Sequence, residues 1–135
     1  MGSRTLVGLD VGEKRIGVAI ADTSVRIAIP FATVVVDGTE IQTIAEIVAK
    51  EDADTIVVGY PRNQSGEATA QTDYVEQFAE NLHDIADTIV FQDESLTSVL
   101  AEQQLIAQKK PYTKGDIDAV AASLILQDYI EAYHG

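Results

Sequence analysis

Short apolar runs alternate along this chain with stretches of helical periodicity. Thr5–Asp10 (TLVGLD) is apolar until it ends in Asp, and reads as a buried strand. Lys14–Ala21 (KRIGVAIA) follows the tight corner Asp10-Val11-Gly12-Glu13, which suits an antiparallel return. Ile27–Val36 (IAIPFATVVV) is a third strand, and Pro30, which has no N–H for a ladder, predicts an edge position for it. Thr39 opens a helix to about Glu51, with Ile41, Ile44, Ala45 and Val48 at i, i+3, i+4 and i+7. Thr55–Gly59 (TIVVG) lacks polar alternation and reads as a central strand. The polar loop Pro61–Thr69 leads to a helix over about Ala70–Ile85, with Tyr74, Val75, Phe78, Ala79 and Leu82 on one face. Thr88–Phe91 is a further strand and Thr97–Gln108 a helix. Pro111 breaks the loop Lys109–Gly115, and Asp116 caps a last helix, Ile117–Tyr133.

This order, βββαβαβαα, predicts an α/β fold with a mixed sheet and helices on both faces. The first, fourth and fifth strands become parallel neighbours, so their C-terminal ends share one edge. In open α/β sheets that edge is where ligands bind. The chain has 135 residues, no internal repeat and no low-complexity tract, and reads as a single domain over 1–135.

Three acids fall where that topology brings residues together. Asp10 ends the first strand, Asp93-Glu94 follow the last strand, and Asp118 lies in the first turn of the last helix. Carboxylates that converge repel one another, and a divalent cation resolves the conflict. An all-oxygen set selects hard ions such as Mg²⁺ or Mn²⁺. Any one of these acids has a plainer explanation. The chain holds 22 acids, and Asp118 could simply favour a helix N-terminus. The coincidence of all three is what points to chemistry.

Two basic and polar segments accompany them. In GLDVGEKRIGVA, Gly12 suits a positive φ or a close backbone approach. Exposed N–H groups of such a corner can hold phosphate oxygens, with Lys14 and Arg15 beside them. In GYPRNQSG (Gly59–Gly66), Arg62 offers forked donors to phosphate, and Asn63, Gln64 and Ser65 add neutral ones. Thr97 and Ser98 read as helix caps. There is no GxxxxGK[ST] loop. Cysteine is absent, so thiol chemistry is excluded, and His83 and His134 have no metal-ligand spacing, which argues against a zinc site. No apolar run approaches the ~18 residues of a membrane span, and no signal-peptide core is present, so a cytoplasmic location is expected.

Net charge sharpens this picture. Nine Lys and Arg against 22 Asp and Glu give −13, which should repel polyanions over most of the surface. The charge is uneven, however. Lys14, Arg15, Arg62, Lys109, Lys110 and Lys114 lie in segments placed at or near the carboxylate edge. The segments Asp37–Asp54 and Glu67–Asp87 hold six acids each. A polyanionic substrate is therefore expected to bind locally and with the help of metal.

Taken together, GLDVGEKRIGVA (Gly8–Ala19), VVGYPRNQSG (Val57–Gly66), DESLTS (Asp93–Ser98) and IDAVAASLIL (Ile117–Leu126) resemble the YqgF/RuvX family. The resemblance runs nearly end to end. It implies an RNase H-like fold with strand order 3-2-1-4-5. It implies a nuclease, described either as a Holliday junction resolvase or as maturing the 5′ end of pre-16S ribosomal RNA. By position it assigns Asp10, Glu94 and Asp118 as catalytic, metal-binding acids, with Asp93 as a neighbouring or alternative ligand. Lys14 and Arg15 match the family's basic pair; with Gly12, Arg62 and Asn63 from the residues themselves, they are the expected substrate contacts. The mechanism implied is phosphodiester hydrolysis with two Mg²⁺ or Mn²⁺ ions shared by the three acids. Expected partners are structured RNA or branched DNA and a pre-ribosomal particle, with no membrane; the protein itself is a monomer or homodimer. One departure stands out: Ser95 occupies the place of the family's Arg after the DE pair, which removes a cation beside the site. Two other readings compete. The glycine corner is also similar to a phosphate motif of actin-like ATPases, although those need a second domain. A non-catalytic ribosome-assembly module is the other.

Overall fold

The computed structural model describes residues 4–61, 70–94, 97–109 and 111–133. Its elements run β1 (Thr5–Val11), β2 (Arg15–Asp22), β3 (Ile27–Val35), α1 (Glu40–Lys50), β4 (Ala53–Pro61), α2 (Ala70–Glu80), β5 (Thr88–Glu94), α3 (Thr97–Ala107) and α4 (Lys114–Tyr133). The sheet order is β3-β2-β1-β4-β5. β1–β2 and β2–β3 are antiparallel, while β1–β4 and β4–β5 are parallel. The C-terminal ends of β1, β4 and β5 therefore share an edge, as the pattern predicts. β3 is an outer strand, where Pro30 is tolerated. Val18 pairs with Ala32 but Ala19 with Pro30, so Phe31 is an inserted bulge residue.

The inner strands β1, β2 and β4 lack polar alternation because both of their faces are covered, whereas Ile27, Ile29, Phe31 and Val35 of the outer strand β3 stay exposed. On one face Val7, Leu9, Ile16, Val18, Ile56 and Val58 pack against Ile44 and Val48 of α1 and Val75 and Phe78 of α2. On the other, Leu6, Ala19, Ala21 and Val57 meet Ala122, Ile125, Leu126 and Ile130 of α4. α3 lies outside α4, with Ala101 against Val120 and Ala121. The second face is lined by small residues. A Cβ on Gly8 would lie 2.8 Å from Leu126 Cβ, and one on Gly17 would collide with the Asp118 carbonyl. The helix backbone thus rests directly on the sheet. Two polar clamps fix its position: the Thr33 hydroxyl donates to the Gly115 carbonyl (2.6 Å), and the Gln127 side chain accepts from the Ala28 N–H (2.9 Å).

Three boundaries differ from the sequence reading by three residues or more. The last helix begins at Lys114, capped by Thr113. The Asp116 N–H donates to the Thr113 hydroxyl (3.2 Å), and the Thr113 N–H donates to the Asp116 carboxylate (2.9 Å). This is a capping box in which Asp116 is the third helical residue. Asp118 accordingly sits beyond the first turn, which weakens the helix-dipole explanation for it. α2 ends at Glu80. Beyond it the N–H groups of Asn81, Leu82 and Ile85 reach carbonyls three residues back, and Leu82 stays buried. β5 continues past Phe91, because Gly59, Tyr60 and Pro61 of β4 pair with Gln92, Asp93 and Glu94.

Candidate functional site

Strand alternation places two of the three acids. In β1, Leu6 and Gly8 face α4, and Asp10 continues that series. In β5, Val90 packs on the α4 side, and Gln92 and Glu94 follow it with period two. Asp93 has the opposite parity and so belongs to the other face, away from Asp10. The reading of Asp93 as an alternative ligand is corrected on that ground. Asp118 lies one helical turn before Ala122, on the stripe that meets the sheet. Gly59 leaves the space that Glu94 fills: a Cβ there would collide with the Glu94 carboxylate and lie 2.7 Å from Ile125 Cδ1.

Asp10 feels the charge of both other acids. Asp10 is pushed up from 3.8 to about 7, first by burial and then by the negative charges of Glu94 and Asp118. Arg15, the first residue of β2, donates from Nε to Asp118 Oδ2 at 2.6 Å. Lys14 is exposed at the hairpin tip. Gly12 holds no positive φ, and its N–H donates to the Arg15 carbonyl (3.1 Å), so this donor is committed to the hairpin. The requirement for glycine here is close approach: a Cβ would lie 2.7 Å from the Arg15 carbonyl oxygen. Gln71 of α2 donates to the Val11 carbonyl (3.1 Å) and holds the tip against that helix. An open pocket of about 370 Å³ is lined by Gly12, Glu13, Lys14, Arg15, Gln71 and Asp118.

The donor set suits a hard cation. It consists of carboxylate oxygens, and Asp10 resists ionisation beside its two neighbours, a condition that a divalent ion relieves. Among the described residues, no three Asp, Glu or His side chains are gathered closely enough to hold an ion as they stand. Arg15 is paired with Asp118 instead.

Arg62 and Asn63, with the rest of their loop, lie outside the described residues, as do Ser95, Lys110 and the side chains of Thr97 and Ser98. Sequence reasoning assigned Arg15 to the substrate but missed its bond to Asp118. It also missed Gln71, for which no local signal exists. Among the described residues no helix is long and apolar enough to cross a membrane.

The family model described as "RuvX: Holliday junction resolvase" matches residues 4–132. A Chloroflexus aggregans protein named "Putative pre-16S rRNA nuclease" is 44% identical, covering 98% of this chain and 96% of that one. A Shewanella oneidensis protein of the same name is 35% identical, covering 100% and 99%. Among solved structures, Thermus thermophilus RuvC in complex with a Holliday junction substrate superposes with a TM-score of 0.57 at 13% identity, covering 97% and 96%. The fowlpox virus resolvase with junction DNA gives 0.56 at 17%, covering 95% and 97%. These two likenesses show an RNase H-like fold. With a family match over nearly its whole length and relatives this similar, the chain belongs to the RuvX family.

Proposed function

We propose that this protein is a metal-dependent endonuclease that hydrolyses phosphodiester bonds of structured nucleic acid, and that its substrate is the 5′ end of pre-16S rRNA. One observation carries the reading: Asp10 lies at the C-terminal edge of the parallel strands, where burial first, and then the charges of Glu94 and Asp118, push its carboxyl up to about 7. A protein gains nothing in stability from such an arrangement, because burying like charges together destabilises the fold. Asp10, Glu94 and Asp118 would hold Mg²⁺ or Mn²⁺, as one ion or a pair. A bound ion supplies charge for the phosphodiester and lowers the pKa of an attacking water. Lys14 stands exposed where a backbone phosphate approaches, and the pocket beside it is open to a polyanion. Arg62 and Asn63 are proposed to extend this contact. The names of the relatives favour RNA. A family match over nearly the whole chain leaves the actin-like ATPase reading without support.

A second reading, resolution of branched DNA, is favoured by the family's description and by the junction-bound structures that share the fold. One experiment separates the two. A precursor rRNA fragment and a synthetic four-way DNA junction are each incubated with the protein and Mn²⁺, and Asp10→Asn serves as control. Cleavage of the RNA, lost by at least ~1,000-fold in Asp10→Asn, is the result expected, since an ion ligand acts on the reaction directly. Cleavage of the junction alone would select the second reading. Equal rates for both proteins would reject the assignment of Asp10.

A further inference from the structure

Arg15 is held where it can act on a single carboxylate. It begins β2, pairs with Val35 of β3, and accepts the Gly12 N–H at its carbonyl (3.1 Å). Gly17, two residues on and on the same face, admits the Asp118 backbone. Glycine and arginine thus engage one residue from the same strand. The glycine makes room for its main chain, and the guanidinium takes its side chain at 2.6 Å. The two side chains are 36% and 20% exposed, so the pair is partly screened from water rather than a free surface contact. Arg15 and Asp118 also line the open pocket together with Lys14 and Gln71.

We propose that Arg15 is a latch on the metal site. In the ion-free protein it occupies Asp118 and weakens the site for divalent cations. When Asp118 turns to an ion, the guanidinium is released into the pocket, where it takes a phosphate of the substrate. This inference rests on the metal-dependent reading above and adds regulation to it. The released state of Arg15 favours both ion and phosphate, so by linkage each raises the affinity for the other. The protein then binds ions weakly until nucleic acid is present.

The test uses Mn²⁺ alone, titrated calorimetrically into the full chain, into Arg15→Gln and into Lys14→Gln. Both variants remove one positive charge from adjacent positions and share any general field effect. Arg15→Gln should tighten Mn²⁺ by roughly 10-fold, within the usual range of site coupling, and Lys14→Gln by no more than about 2-fold. A second measurement needs no variant: the Arg15 Nε–H resonance of the wild-type protein, followed by NMR during Mg²⁺ titration. It should move as the site fills. Equal tightening in both variants, or a resonance that stays fixed at saturating Mg²⁺, would overturn the latch and leave the metal site standing. If no ion binds to any of the three proteins, the metal-dependent reading fails, and the latch fails with it.

Discussion

The two faces of the sheet are built on opposite principles. The face under α1 and α2 is filled by branched side chains: Val7, Leu9, Ile16, Val18, Ile56 and Val58 all lie fully or nearly fully buried. The face under α4 keeps Leu6 and Val57 but sets Gly8, Gly17, Ala19, Ala21 and Gly59 around them. Bulk separates layers and removes apolar area from water, which stabilises the fold. Small residues forgo that area and let a helix backbone touch the strands. Only the second arrangement places a helical acid beside a strand acid. The contrast teaches that stability and site geometry are assigned to different sides of one sheet.

Breaking the small-residue face should have the largest effect. Gly17→Val drives a branched side chain into the Asp118 carbonyl, so α4 must lift. A loss of more than about 4 kcal/mol in urea unfolding is expected, above the usual range for overpacking because the clash is with backbone. The next effect has the opposite sign. The Asp10 carboxyl holds its proton better in the folded chain, at about 7, than in the unfolded chain, at 3.8. Its ionisation therefore destabilises the fold. Without metal, the contribution of Asp10 to stability should be fully present below about pH 4, be lost between about 4 and 7, and stay lost above, by at most about 4 kcal/mol. Asp10→Asn should flatten this slope and melt higher than wild type at pH 8.

On the opposite face, Leu9→Ala should cost about 3 kcal/mol as an ordinary core truncation. Its cleavage rate per folded molecule should stay within about 2-fold of wild type, because Leu9 faces α1 and α2. A large loss of rate there would blur the division between faces. The smallest effect is expected from Thr113→Ala. It removes the α4 cap and should lower stability by about 1 kcal/mol, measured by thermal melting.

Local pattern made much of this legible. Pro30 marked the outer strand, and the apolar runs of β1, β2 and β4 marked strands covered on both sides. Asp10 stood out as an acid ending such a run. The choice between Asp93 and Glu94 was also available, since counting by twos from Val90 reaches Glu94. Other features depend on elements distant in sequence. Gly17 looks like a hairpin glycine until α4 is laid across it, and Arg15 looks like a substrate contact until Asp118, 103 residues away, is placed beside it. The start of α4 was misread because Thr113 and Asp116 cap each other, and either alone resembles an N-cap.

The most direct measurement compares melting temperatures of wild type and Asp10→Asn at pH 8, first with EDTA and then with saturating Mn²⁺. With EDTA the variant should melt higher, since it lacks the buried charge. With Mn²⁺ the order should reverse: wild type should gain several degrees, at roughly 3–5 °C per kcal/mol of binding, and the variant little. A wild-type protein that Mn²⁺ leaves unmoved, or a variant that it stabilises equally, would contradict the assignment of Asp10, Glu94 and Asp118 as an ion-binding site.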